Sequence, residues 1–357
     1  MNDFKVDFQE LDNLRPIGVS GLMRVKNDGA FVAASIDSCI DALDELVIVY
    51  DDSEDNTEEV IKRKREEYPD KIKIYYYEPK IMSHNLSDTE IERLEKIPED
   101  SPRLLSSYYN WTMSKASYRY AFKIDADQIY FSSKLKMICD LYRSSNKQRI
   151  FFSEHICYFI FLVIRRLSPN LPISLISILS RFFFKKNAAH LIQSYVFKRI
   201  KNDKIISSFS GINLFYNKEL YVPMGKFDDG IQPPTNGSGD HIFFMPNSHD
   251  RYVPWPQKEY HRVIEVFSPS SRMYFGGGFL WLHLNAMRDS IYERNIVKYK
   301  NHTLKINQFL SQDFFDLKRK YDFKIGGHML PIIFQAISVD KELIMENIKN
   351  KMNLIAK

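Results

Sequence analysis

Cysteine is scarce: Cys39, Cys139 and Cys157 are the three in 357 residues, an odd number at long separations. They can form neither a disulfide framework nor a thiolate zinc site, and a reducing, cytoplasmic setting is expected. Glycine is sparse too, at 13 residues. None of it builds Gly-x-x-x-x-Gly-Lys-Ser or Gly-x-Gly-x-x-Gly behind a strand, which argues against P-loop and dinucleotide-binding chemistry. No apolar run reaches the ~20 residues that span a bilayer. The opening Met1-Asn2-Asp3-Phe4-Lys5-Val6-Asp7 lacks the apolar centre of a secretory signal. Large net charge is also missing, the total being +5, so nucleic-acid binding by the whole chain is not expected.

What is present is a 44% hydrophobic chain rich in Phe and Tyr, long enough for one large domain or two. Residues 1–16 are polar and read as a surface lead-in. Ile17 to Val25 is an apolar run suited to a buried parallel strand, and Lys26-Asn27-Asp28-Gly29 supplies turn chemistry. Val32, Ile36, Cys39, Ile40 and Leu43 then recur at helical spacing. A second strand over 45–50 ends in Asp51-Asp52-Ser53-Glu54-Asp55-Asn56-Thr57, a helix follows to about Tyr68, and 71–77 is a third strand. This β-α-β-α-β order predicts a mostly parallel α/β sheet covered by helices.

A further strand leads into Asp125-Ala126-Asp127. Tyr118, Tyr120, Phe122 and Ile124 alternate with Arg119, Ala121 and Lys123, the pattern of a strand with one buried face. Residues two apart on an extended chain point the same way, so Asp125 and Asp127 can reach one hard cation and a diphosphate it holds. Paired aspartates also close strands as turn residues. Ligands of parallel sheets bind beyond the carboxyl ends of strands, and three such ends here carry polar groups: Arg24, Lys26 and Asn27; Asp51 and Asp52; Asp125 and Asp127. A helix over 104–116 offers Tyr108, Asn110, Trp111 and Lys115 to the same crevice.

The series Met23-Arg24-Val25-Lys26-Asn27, Val49 to Thr57, and Asn110-Trp111 leading to Lys123-Ile124-Asp125-Ala126-Asp127 resembles the family 2 type of GT-A glycosyltransferase over roughly residues 17–131. The resemblance implies a GT-A-like fold and a nucleotide-sugar donor, UDP-linked, contacted by Arg24, Lys26, Asn27, Asn110 and the acids. The motif is one residue shorter than the usual Asp-Asp-Gly-Ser, so either Asp51 or Asp52 takes the nucleotide base. Asp127 is implied as a ligand of Mn²⁺ or Mg²⁺, and Asp125 as the contact to ribose or to metal and its water. The acceptor implied is a glycan or lipid-linked glycan, as in bacterial lipopolysaccharide, capsule or other surface polysaccharide synthesis.

From 150 the composition changes. Ile150–Ile164 and Leu171–Phe184 are nearly continuous apolar runs, and residues 155–204 hold nine basic side chains against one acid, Asp203. This segment reads either as an insert resting on an anionic membrane surface or as a helical pair packed on the sheet. Beyond a strand over 209–216, Asn236-Gly237-Ser238-Gly239-Asp240-His241 sets an acid between glycines and a histidine. The resemblance implies Asp240 as the general base of an inverting transfer, while the residues also read as a plain glycine turn; His241 reads as its orienting neighbour or as a helix-start residue. His283, ending Gly276-Gly277-Gly278-Phe279-Leu280-Trp281-Leu282-His283, is implied as an additional metal ligand, or is a hydrogen-bonded core histidine. The glycine triplet itself reads as room for the donor or as a flexible loop.

The sequence thus predicts a nucleotide-binding half over 17–149, an apolar and basic insert over 150–204, an acceptor half over 205–290 and C-terminal helices over 291–357. A cytoplasmic protein is expected, peripheral on the membrane's inner face if the insert docks there. Two other functions fit less: a sugar nucleotidyltransferase, for which Arg24-Val25-Lys26-Asn27 is a poor glycine-rich loop, and a non-catalytic peripheral membrane protein, which leaves the strand-end acids unused.

Overall fold

The computed structural model describes residues 2–94, 96–167, 186–224, 234–237, 240–287, 302–312 and 339–350, with a few single positions between them. The chain forms two compact units, Met1–Ala126 with Ile242–Met273, and Asp127–His241 with Tyr274–Lys357. This is a different partition from the consecutive segments read from the sequence. The first unit ends inside the Asp125-Ala126-Asp127 motif and takes residues 242–273 back.

In the first unit Val19–Val25 (β1) is followed by Val32–Cys39 (α1), Glu45–Tyr50 (β2), Thr57–Glu67 (α2) and Ile72–Tyr76 (β3). Asp88–Leu94 (α3), Leu105–Ser114 (α4) and Tyr120–Asp125 (β4) come next. β4, β1, β2 and β3 lie side by side in that order and parallel, and the strand Ile242–Phe244 pairs antiparallel with β4. The apolar runs of β1 and β2 are buried throughout, as a sheet covered on both faces requires. α2 places Glu58 and Glu59 in its first turn and Lys64 and Arg65 in its last, matching the helix dipole.

Two expectations are corrected in this unit. β4 is not a half-exposed strand: it sits between β1 and Ile242–Phe244, with every residue from Tyr120 to Ile124 buried, Lys123 included. Phe122 stacks on Phe243 with ring centroids 4.0 Å apart. Nor are residues 1–16 a mere surface lead-in. Phe4 packs against Tyr77 and Trp111 at 5.0 and 5.4 Å, Trp111 donates its indole N–H to the Asp3 carbonyl at 3.1 Å, and Leu11 is buried.

The second unit contains Gln128–Tyr130 (β5), Ser132–Arg143 (α5), Phe152–Leu167 (α6) and Lys186–Asp203 (α7). Its four-stranded sheet runs Thr235–Asn236, Ser210–Asn213, Phe279–His283, β5. α6 and α7 pack on one another through Tyr158 and Tyr195, stacked at 4.4 Å. Glu154, buried in α6, receives Lys198 at 2.7 Å, the Ser194 hydroxyl at 2.5 Å and the Phe151 N–H at 2.7 Å. Burial pushes its carboxyl up, and these partners outweigh burial and hold it below the ordinary value. The described part of the 150–204 segment is therefore a packed helix pair on one side. Most of the Leu171–Phe184 run lies outside the described residues, and no helix among the described residues is long and apolar enough to cross a membrane.

The glycine triplet faces the protein's own side chains. Gly278 has φ +86°, and a Cβ there would run into the Asp340 carboxylate and the Gln193 amide. Asp340, in the helical residues 339–350, takes both the Lys134 ammonium of α5 at 2.9 Å and the Phe279 N–H at 2.8 Å. Burial pulls the Lys134 ammonium below its ordinary pKa, against the pull of Asp340. Removing one member of such a pair strands the other charge, so Asp340→Ala is expected to cost about 3–5 kcal/mol in urea unfolding. The double variant Lys134→Met/Asp340→Asn, which strands no charge, should lose less; an equal or larger loss would show that the ion pair is not what matters there.

Candidate functional site

The strand order positions the first group of residues. β1, β2 and β3 step outward, and β4 returns to the other side of β1, so the order reverses between β1 and β4. A crevice opens at such a reversal, beyond the carboxyl ends of the strands. Arg24 and Asp125 are register partners across it. The Arg24 guanidinium lies on the Tyr109 ring, 3.1 Å from its centroid, and Tyr109 in turn packs on Tyr252 at 4.6 Å. Lys123, two residues before Asp125 on the same face, brings its ammonium to 3.7 Å from the Asp125 carboxylate. Its alternation with Tyr118, Phe122 and Ile124 had placed it on an open face; the Tyr109 ring, 5.1 Å from its ammonium, covers that face.

The two acids after β2 are separated by burial. Asp51 is buried and bound by Lys26 at 2.7 Å through one oxygen, while the other oxygen is buried without a hydrogen-bond partner among the described residues. Burial is the main cause raising the Asp51 carboxyl above its ordinary pKa, with Lys26 opposing it. Asp52 is exposed and accepts the Tyr76 hydroxyl at 2.5 Å, which pushes Tyr76 up to about 12. An unsatisfied buried acceptor is costly, and a ligand N–H would relieve it.

Asn27 and Asn110 have structural work in this unit. Asn27 adopts φ +53°, and its side-chain oxygen accepts the Glu54 N–H at 2.7 Å, tying the loop after β1 to the loop after β2. Asn110 donates to the Tyr252 carbonyl and accepts the Tyr252 N–H, both at 2.8 Å, clamping α4 to the strand Arg251–Gln257. Its amide thus satisfies a backbone segment. Trp111 turns toward Phe4 and Tyr77, with Lys115 4.2 Å from its ring.

In the second unit the antiparallel pairing of Phe279–His283 with β5 sets His283 opposite Gln128, and the Leu284 N–H donates to the Asp127 carbonyl at 2.8 Å. This register brings His283 Nε2 to 3.5 Å from the Asp127 carboxylate. His283 Nδ1 lies 2.7 Å from the Asn213 side-chain oxygen, so Nδ1 carries the proton and Nε2 presents a lone pair to a carboxylate. Two acceptors facing each other need a proton or a cation between them. A carboxylate and an imidazole oriented through its other nitrogen are a donor set suited to Mn²⁺ or Mg²⁺, whose remaining positions go to water and phosphate oxygens.

A second polar chain runs through the same unit. The Tyr130 hydroxyl donates to Gln128 Oε1 at 2.6 Å, which turns the Gln128 amide N–H toward His241 Nε2 at 2.7 Å. His241 Nδ1 is then the protonated nitrogen, 3.6 Å from the exposed Asp240 carboxylate. The His241 ring lies 4.5 Å from that of Trp281, whose indole N–H donates to the Asn236 side-chain oxygen at 3.1 Å. Gly237, at φ +86°, leaves room for Trp281 and His241, so its close approach is to these rings. Gln128, Tyr130 and Trp281 were not recognisable as parts of this arrangement, because their types are those of ordinary core residues.

Residues 2–163, a little under half of the chain, are similar to the family model described as beta-1,4-N-acetylgalactosaminyltransferase (CgtA). No curated protein gives a match. Glucosyl-3-phosphoglycerate synthase of Mycobacterium tuberculosis, solved with Mn²⁺, UDP and glucosyl-3-phosphoglycerate, is 16% identical over 34% of this chain and 37% of its own, with a TM-score of 0.21. The same protein with Mn²⁺ and UDP-glucose is 14% identical over 45% of this chain and 53% of its own, at 0.25. The chain spans about half or less of the length of these solved proteins.

The burial of Asp51 gives a signed expectation. A folded-state pKa above the unfolded one adds stability that is complete below the unfolded value, 3.8, and lost as pH rises through the folded value. Ionised Asp51 therefore costs stability at pH 7, and Asp51→Asn should melt no lower than the parent there, its relative advantage shrinking toward pH 4. Calorimetry across that range checks it, and a lower Tm for Asp51→Asn at pH 7 would contradict the reading.

Proposed function

We propose that the protein is a metal-dependent glycosyltransferase moving a sugar from a UDP-linked donor to a glycan or lipid-linked glycan acceptor with inversion. The observation that carries the reading is the Asp127–His283 pair, two acceptors held 3.5 Å apart with the histidine tautomer set by Asn213. Asp127 and His283 would hold the ion. When bound, Mn²⁺ or Mg²⁺ neutralises the charge that grows on a departing nucleoside diphosphate.

The other roles belong to the chain's own groups. Asp51, with its unsatisfied buried oxygen, takes the N–H of the nucleotide base in preference to Asp52, which is engaged by Tyr76. Asp125 takes the ribose, with the Lys123 ammonium 3.7 Å from its carboxylate. Arg24, flat against Tyr109, and Lys26, paired with Asp51, supply positive charge to the same strand ends. Asp240 removes the proton from the acceptor hydroxyl, with His241 Nδ1 3.6 Å from its carboxylate.

The family match supports the sugar class. That family is named for beta-1,4-N-acetylgalactosaminyl transfer, and a β-linked product from an α-linked nucleotide sugar requires inversion. UDP-N-acetylgalactosamine is accordingly the first donor to test, against oligosaccharide acceptors of the lipopolysaccharide and capsule type.

Ligand that binds only the folded state raises Tm, so Mn²⁺ with UDP should stabilise the parent. His283→Ala and Asp127→Ala should lose that metal-dependent shift; a parent indifferent to Mn²⁺ would make the pair a plain Asp–His⁺ ion pair. Asp240→Asn should keep the shift but transfer sugar ~10²–10⁴-fold more slowly. Full turnover by Asp240→Asn, or NMR showing retained anomeric configuration, would remove Asp240 as the base.

A further inference from the structure

Helix α6 carries two apolar stripes. Tyr158, Phe161 and Ile164 are buried in the second unit. Phe152, Ile156, Phe159, Val163 and Leu167 recur four, three, four and four residues apart along another side and are all exposed, Phe152 at 79% and Phe159 at 66%. A surface helix ordinarily turns its polar residues outward and its one apolar stripe to the core. Here one outward stripe is apolar along the whole 16-residue helix, ~24 Å at 1.5 Å per residue, with Ser153, His155 and Arg166 the exposed polar residues beside it. Leu175 and Ile178, further along the chain, are exposed as well.

The charge around this stripe has one sign. Lys147 and Arg149 before the helix and Arg166 in its last turn are exposed. Between Arg149 and Lys186 the single acid is Glu154, and it is turned inward onto Lys198 and Ser194. A second copy packing stripe to stripe would set these cations against one another around a two-fold axis. A surface of lipid phosphates complements them, with the acyl boundary beneath to receive the apolar side chains.

We propose that α6 docks flat on an anionic lipid bilayer, with Phe152, Ile156, Phe159, Val163 and Leu167 entering the headgroup–acyl boundary and Arg149 and Arg166 meeting lipid phosphates. The inference stands on this helix surface and not on the sugar-transfer reading. Its test uses no turnover, so the two fail separately.

The test is flotation of the full chain with vesicles of 30% phosphatidylglycerol in phosphatidylcholine, against pure phosphatidylcholine. The parent should float with the anionic vesicles only, and Phe159→Asp/Val163→Asp and Arg149→Glu/Arg166→Glu should each bind at least ~10-fold less. Both pairs are chosen for exposed or outward positions, and an unchanged Tm verifies folding; Phe159→Ser/Val163→Ser replaces the first pair if it does not fold. A parent that stays at the bottom of the gradient, or variants that float as well as the parent, would overturn the proposal. So would a parent mass in solution of twice 42.2 kDa that halves in Phe159→Asp/Val163→Asp, since the stripe would then belong to a second copy.

Discussion

The reversal of strand order between β1 and β4 is the constraint on which the first unit depends. β1 and β2 bury both faces, β3 at the edge is partly exposed, and each crossover between these parallel strands carries a helix, which is why α1 and α2 alternate with them. Once β4 returns to the vacant edge of β1, the loops beyond the two strands diverge and leave a gap. Rigid edges make such a gap useful. Asn27 at φ +53° joins the loops after β1 and β2, and Asp55 draws the Gly29 N–H to the Thr57 end of the same loop.

Charges taken out of water supply much of the remaining specificity. Lys123, Glu154 and the Lys134–Asp340 pair are buried, and each has a counter-charge within 4 Å. A buried charge is tolerated only in the one arrangement that satisfies it, so these groups fix how α7 lies on α6 and how the helical residues 339–350 meet α5. The glycine at 278 belongs to the same logic, being the residue that lets the Asp340 carboxylate reach the Phe279 N–H.

The β-α-β-α-β opening was legible because its signals are local: uninterrupted apolar runs for the strands and helical spacing between them. The ends of β1, β2 and β4 fell where the polar clusters begin. What was not legible depends on partners distant in the chain. Lys123 looked exposed because alternation cannot tell that Tyr109 of α4 will lie over that face of β4, with its ring centroid 5.1 Å from the Lys123 ammonium. Asn110 has the side chain of a ligand contact and of a backbone clamp alike, and its hold on the Tyr252 backbone depends on a strand far along the chain. Asp51 and Asp52 are identical in type and adjacent, and burial alone distinguishes them. His283 meets Asp127 through a strand register that no local pattern encodes, which is why the residues alone left it between ligand and core histidine.

The discontinuity of the first unit bears on how the chain emerges from a ribosome. β4 is complete at Asp125, but the strand that covers its open edge begins at Ile242. At ~5–20 residues per second the interval is on the order of ten seconds. During it a buried-type strand bearing Phe122 and Ile124 has one unpaired edge, the kind of template that recruits foreign strands. Newly made chains are thus at greatest risk of aggregation midway through synthesis, and slowing translation between these two strands would lengthen the period in which a chaperone must shield that edge.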